Sequence, residues 1–214
     1  MSAKIKVCGL MRPEDAGHAA AVGASYLGVV FAGGPRSVTQ QQAREVVAAG
    51  SGVPVLGVFA DHPVEAILQI RDSTGLSGAQ LHGPYPGTDA ERLREAGLRV
   101  WRVVRIAVPA DLDSLADAVT GSDAVLVEPR VPGRLGGAGI PLDLAVAREA
   151  RGRLGGHPMA LAGGLTPATV TDALSLVRPE IVDVSSGVEC RPGIKDPTLI
   201  SRFVEAVFAC SPLI

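Results

Sequence analysis

Short runs of apolar, β-branched residues alternate along this chain with longer stretches whose apolar positions recur at helical spacing. In the opening stretch, residues 4–9, Ile5 and Val7 give strand character, Cys8 falls at the carboxyl end and Gly9 marks the turn. Residues 26–31 and 54–59 are nearly continuous apolar runs, the pattern of strands covered on both faces as in a parallel sheet. Further strands are expected at residues 78–83, 99–106, 124–127, 159–162 and 181–185, the sixth ending on Glu128-Pro129.

Each strand is followed by helix signals. Pro13-Glu14-Asp15 places proline and acidic residues in a first turn that runs to Val22. Thr39 with Gln42, and Thr88 with Glu91, have capping-box spacing for helices reaching Ala49 and Ala96. Asp61 with Pro63 is expected to start a helix ending near Gly75, and Asp111 one that Gly121 stops after Val119. A helix over residues 142–154 follows a glycine-rich loop at 130–140, a length that in compact domains often carries function. Thr166-Pro167 and Asp196-Pro197 predict the last two, with an N-cap residue followed by an N1 proline.

Eight such units with no break in composition predict a single-domain α/β fold over residues 1–214, a closed (β/α)8 TIM barrel. The chain lies near the lower size limit of that fold, about 200 residues, so loops away from the functional face should be minimal. Composition supports this, being rich in Ala, Val, Leu and Gly and poor in aromatics. A formal net charge of −2 implies no basic face, which argues against a nucleic-acid partner. Residues 1–4 run straight into a strand with no apolar leader, and no run is long enough to cross a bilayer, so a cytoplasmic protein without membrane attachment is expected. Cys8, Cys190 and Cys210 are odd in number and lack metal-ligand spacing, which points to neither a disulfide framework nor a metal centre.

In a barrel the carboxyl ends of all strands share one face, and chemistry gathers there. The residues leaving those ends are Cys8, Arg36, His82, Glu128, Gly163-Gly164, and Asp183 with Ser185-Ser186-Gly187. Backbone N–H groups after strands seven and eight are where barrels hold a phosphate, so Gly163, Gly164, Ser185, Ser186 and Gly187 are expected to form that cradle for a small phosphorylated substrate. Cys8 and Glu128 on one rim suit a base and acid pair, because burial raises a carboxylic acid's pKa and a nearby cation lowers a thiol's. Arg36 offers a planar fork for a carboxylate or phosphate, and His82 reads as structural unless the pocket claims it.

With those residues placed, the chain resembles the phosphoribosylanthranilate isomerase family of tryptophan biosynthesis over essentially its whole length. The resemblance is carried by Lys6-Val7-Cys8-Gly9-Leu10, Pro35-Arg36-Ser37-Val38, Gln80-Leu81-His82-Gly83 and Leu161-Ala162-Gly163-Gly164-Leu165. Val182-Asp183-Val184-Ser185-Ser186-Gly187-Val188-Glu189 and Pro192-Gly193-Ile194-Lys195-Asp196 complete it. The resemblance implies an Amadori rearrangement with no cofactor. Cys8 would be the general base and the acid at position 128 would open the sugar ring. Arg36 and His82 would contact substrate, with Arg36 gripping its anthranilate carboxylate; Asp183 would help order the site.

The family has aspartate where this chain has Glu128, and the segment Gly137-Ala138-Gly139 and the pair Leu10-Met11 also depart from its pattern. The competing readings are the related histidine-pathway isomerase, which looks for aspartate at the position of Cys8, and a barrel that binds a phosphoribosyl ligand without turning it over. Barrels of this size occur as monomers or homodimers, and the sequence does not choose between them.

Overall fold

The computed structural model describes residues 3–131 and 140–210. Eight parallel strands close on one another in chain order, giving the expected (β/α)8 barrel. They are β1 (Lys4–Val7), β2 (Tyr26–Val30), β3 (Val55–Phe59), β4 (Gly78–Leu81), β5 (Arg99–Ile106), β6 (Ala124–Pro129), β7 (Met159–Leu161) and β8 (Ile181–Val184). The seam is the pairing of β1 with β8, in which Ile5 sits beside Val182 and Lys6 beside Asp183. Outside the strands run α1 (Pro13–Ala21), α2 (Gln40–Ala49), α3 (Val64–Thr74), α4 (Gly87–Glu95), α5 (Leu115–Val119), α6 (Leu144–Arg153), α7 (Val170–Val177) and α8 (Pro197–Ala209). Among the described residues no helix is long and apolar enough to cross a membrane.

Side chains on successive strand residues point to opposite faces, so each strand feeds two apolar layers. Leu27, Val100 and Val182 belong to the outer layer under the helices, whereas their neighbours Tyr26, Trp101 and Ile181 fill the barrel interior. Both faces of β3 are therefore buried, which is why its sequence reads as one apolar run. Inside, Trp101 meets Tyr26 edge to face at 5.1 Å between ring centroids. The same alternation carries inward positions up to the mouth, from Lys6 to Cys8, from Leu126 to Glu128 and from Asp183 to Ser185.

Several helix starts follow the sequence expectation. Thr39 Oγ1 accepts from the Gln42 N–H while the Gln42 side chain accepts from the Thr39 N–H, and Asp196 accepts from Thr198 and Leu199. Others do not. The Thr88–Glu91 box is not formed, because Pro86 precedes a helix that already begins at Gly87 and leaves Thr88 inside the first turn. Pro63 rather than Asp61 immediately precedes α3, with no side-chain cap. The segment expected to open at Asp111 is first a 3₁₀ turn, Pro109–Ser114, and Asp111 instead accepts from the Ala107 and Val108 N–H groups. Thr166 does not cap a helix; its N–H donates to Thr169 Oγ1 in a turn, and α7 begins only at Val170. Two features have no counterpart in the sequence reading: a 3₁₀ turn at Ser186–Val188, and an antiparallel hairpin of β9 (Glu189–Arg191) and β10 (Ile194–Lys195) before α8.

Candidate active site

Cys8 follows the last residue of β1, and its N–H donates to Val184 O at 2.8 Å, extending the seam by one residue. Two residues earlier on the same inward face stands Lys6, a fully buried lysine. Its Nζ lies 3.0 Å from Asp183 Oδ1, directly across the β1–β8 register, and 5.6 Å from the centre of the Trp101 ring. Burial by itself lowers the Lys6 pKa, but the charge of Asp183, then that of Cys8, outweighs it and leaves the pKa raised. Burial pushes the Cys8 thiol up and the Asp183 charge adds to it; Lys6, as a charge and as a hydrogen-bond donor, opposes that push without overcoming it, so the thiol titrates above its usual range.

Room for this pair comes from β2. A Cβ on Gly28 would fall 2.8 Å from Cys8 Sγ and 3.2 Å from Lys6 Nζ, closer than side-chain carbons approach such atoms. The absence of a side chain there lets sulfur and ammonium crowd toward one point.

Beside Cys8 the loop after β2 brings in Arg36. Its guanidinium is bidentate on Glu189, with Nε to Oε1 and Nη2 to Oε2 both at 2.8 Å. Glu189 Oε1 also accepts from Lys195 Nζ at 2.8 Å, and Lys195 further donates to Ser185 O at 3.0 Å and Ser185 Oγ at 3.3 Å. Burial raises the Glu189 pKa, but the Arg36 hydrogen bond and then the Lys195 charge overcome it, so the carboxyl titrates below its usual range. The fork of Arg36, read from the sequence as a grip on a substrate carboxylate, is thus engaged by a carboxylate of the protein.

Across the mouth, β6 carries Glu128, 6% exposed, one residue before its end. Its Oε1 lies 2.8 Å from His82 Nε2, yet the ring N–H is not aimed for a hydrogen bond. Glu128 Oε1, both ring nitrogens of His82 and Oε1 of Gln80, two residues before His82, are buried without a hydrogen-bond partner among the described residues. Buried polar atoms are nearly always satisfied, so a group of four on one wall marks a candidate binding surface. His82 thus stands buried beside Glu128 on that wall.

The two glycine turns meet. Gly163 and Gly164 have φ of +103° and +64°, and a Cβ on Gly187 would fall 1.9 Å from Leu165 O, so the turn after β8 lies directly on the turn after β7. Ser185 and Ser186 sit at that junction. Pro129 and Pro141 close on Gly163 and Gly164 from the other side. Of the long loop at 130–140, residues 132–139 lie outside the described residues, and Gly137-Ala138-Gly139 with them. Among the described residues no three His, Cys, Asp or Glu side chains are grouped to hold a metal ion.

The sequence reading passes over Lys6, Gln80, Glu189 and Lys195. A signal existed for Lys6. In a closed barrel no strand face is wet, so a lysine flanked by Ile5 and Val7 must be buried and must find a carboxylate.

Comparison with known proteins sets this geometry among relatives. Residues 5–206 match the model of the family described as N-(5'-phosphoribosyl)anthranilate (PRA) isomerase. An N-(5'-phosphoribosyl)anthranilate isomerase of Rubrobacter xylanophilus is 38% identical over 95% of this chain and 98% of its own. The chain belongs to the PRA isomerase family. Among solved PRA isomerases, one from Thermotoga maritima superposes with a TM-score of 0.86 at 30% identity, covering 97% of this chain and 99% of the other. Another PRA isomerase, in complex with reduced 1-(o-carboxyphenylamino)-1-deoxyribulose 5-phosphate, superposes at 0.83 with 29% identity and the same coverage.

Proposed function

We propose that this PRA isomerase converts N-(5'-phosphoribosyl)anthranilate to 1-(2-carboxyphenylamino)-1-deoxyribulose 5-phosphate for tryptophan synthesis, with Glu128 as general acid and Cys8 as general base. The observation that carries the assignment is the placement of a buried thiol beside a buried ammonium on one wall of the mouth, opposite a buried carboxyl whose Oε1 has no hydrogen-bond partner.

Glu128 gives its proton to the ring oxygen, the C1–O bond breaks, and the nitrogen lone pair forms the C1=N Schiff base. Cys8, as thiolate, takes the C2 proton, and the C2–H electron pair forms the C1=C2 bond while the C=N pair returns to nitrogen. Loss of the C2 hydroxyl proton and protonation at C1 then give the ketone. The glycine turns after β7 and β8, with Ser185 and Ser186, hold the phosphate, and Arg36 and His82 line the anthranilate side. Positioned general acids and bases contribute factors of about 10² to 10⁴ each.

Steady-state turnover of phosphoribosylanthranilate tests this. Wild type should turn over, and Cys8→Ala and Glu128→Gln should each lose roughly 10² to 10⁴ in kcat with circular dichroism unchanged. Absence of wild-type turnover would remove the enzyme reading and favour a ligand-binding barrel; full rate in Glu128→Gln would remove Glu128 as the acid. Turnover of a bis-phosphorylated imidazole substrate instead would indicate the histidine-pathway reaction.

A further inference from the structure

Lys6 is the only buried cation on the inner face of β1, and the acid and base assigned above make no use of it. Its position is fixed from three directions: Asp183 Oδ1 at 3.0 Å, the face of Trp101 at 5.6 Å, and the bare backbone of Gly28, where a Cβ would come within 3.2 Å of Nζ. The same absent Cβ would come within 2.8 Å of Cys8 Sγ, so the ammonium and the sulfur converge over one residue, within hydrogen-bonding reach.

An ammonium has three N–H donors. On Lys6, Asp183 takes one, leaving donors for the sulfur. The other buried lysine near Cys8 is committed elsewhere: Lys195 donates to Glu189 Oε1, Ser185 O and Ser185 Oγ. Arg36, also within electrostatic reach of Cys8, spends its fork on Glu189. Lys6, Lys195 and Arg36 thus face the thiol with positive charge and Asp183 faces it with negative charge, and of the cations Lys6 acts on the sulfur most strongly.

We propose that Lys6 is a positioning residue that favours the thiolate of Cys8, its ammonium serving as the sulfur's counter-charge while Asp183 keeps that ammonium in place. The proposal rests on Cys8 being the base. Lys6 stays protonated throughout, and the proton taken from C2 resides on sulfur. Asp183 then has a double effect, because it orients the cation that favours the thiolate and adds a negative charge that disfavours it.

The test is a pH titration of Cys8 by ultraviolet thiolate absorbance, read as the difference between each protein and its Cys8→Ser counterpart so that Cys190 and Cys210 cancel. Lys6→Met should raise the Cys8 midpoint by about one to three pH units, the range an adjacent opposite charge controls. Asp183→Asn should lower it, since the amide oxygen still accepts from the ammonium and keeps it in place while the competing negative charge is gone. Lys6→Arg should return the midpoint toward wild type. The alkaline-rising limb of kcat should move with the midpoint in each variant, with KM little changed.

Opposite shifts in Lys6→Met and Asp183→Asn support the counter-charge role. Equal midpoints in wild type and both variants, or shifts of the same sign, overturn it and leave Lys6 as a structural member of the seam. If Lys6→Met fails to fold, the downward shift in Asp183→Asn and the retained midpoint in Lys6→Arg decide in its place. Full turnover by Cys8→Ala would instead remove Cys8 as the base while leaving the titration result standing, so the two failures are told apart.

Discussion

On the Cys8 wall of the mouth, two buried lysines are each bound to a carboxylate, Lys6 to Asp183 and Lys195 to Glu189, and Arg36 shares the second. On the Glu128 wall, four buried polar atoms of Glu128, His82 and Gln80 have no hydrogen-bond partner among the described residues. The charges of the first wall are paired within the protein, whereas the second wall keeps hydrogen-bonding atoms unsatisfied. The difference suits the two tasks proposed for Cys8 and Glu128. A thiolate is favoured by a permanent counter-charge, whereas a carboxyl fixed by cations would have lost its proton before substrate arrives.

The comparison breaks most severely at Glu189. Glu189→Gln leaves Arg36 and Lys195 buried with their shared charge removed, and should cost about 3–5 kcal/mol in urea unfolding, the range for breaking a buried ion pair. An equally stable Glu189→Gln would mean that this wall is not held by its charges. The pH dependence has a definite sign. Because the Glu189 pKa is lowered on folding, its contribution is present above the unfolded-state value and is lost as pH falls through the lower folded value. Wild type should therefore lose stability on acidification through and below the normal carboxylate range, and Glu189→Gln should lack that part of the loss.

Gly28→Ala probes the same wall without touching a charge. The new Cβ displaces sulfur or ammonium, and a shift of about 1 Å at a reacting atom costs roughly a hundredfold, so kcat/KM should fall by about that factor with the melting temperature changed by a few degrees. Unchanged kinetics would show that the position of sulfur does not depend on the gap. The smallest effect on stability is expected across the mouth. His82→Gln removes no aligned hydrogen bond and should change stability by less than about 1.5 kcal/mol while lowering turnover, measured by denaturation and steady-state kinetics. A larger loss of stability would make the second wall as structurally committed as the first.

The barrel itself was legible because strands buried on both faces must be written in apolar runs, as residues 55–59 are, and because eight repeats of strand and helix leave few ways to close. Helix starts were less legible. Thr88 and Glu91 have capping-box spacing, but Pro86 lets the helix begin at Gly87, and a cap works only at the one residue where the chain enters the helix. At the mouth, individual chemistry could be read from Cys8, Glu128 and the glycine turns, since each ends a strand. The pairings could not. Lys6 and Asp183 are far apart in sequence and meet only through barrel closure, and the partner of Arg36 lies on a hairpin whose two strands of three and two residues are too short to leave a periodic signal.

Lys6 and Asp183 stand 177 positions apart and are contributed by the first and last strands of the barrel. Such a contact carries a large loop-closure entropy and forms only after the intervening chain has ordered. During synthesis Cys8 and Lys6 emerge well before Asp183, so they wait for the intervening strands before the carboxylate across the seam is in place. The strand pairing that seals the barrel is thereby also the step that sets the charges around Cys8.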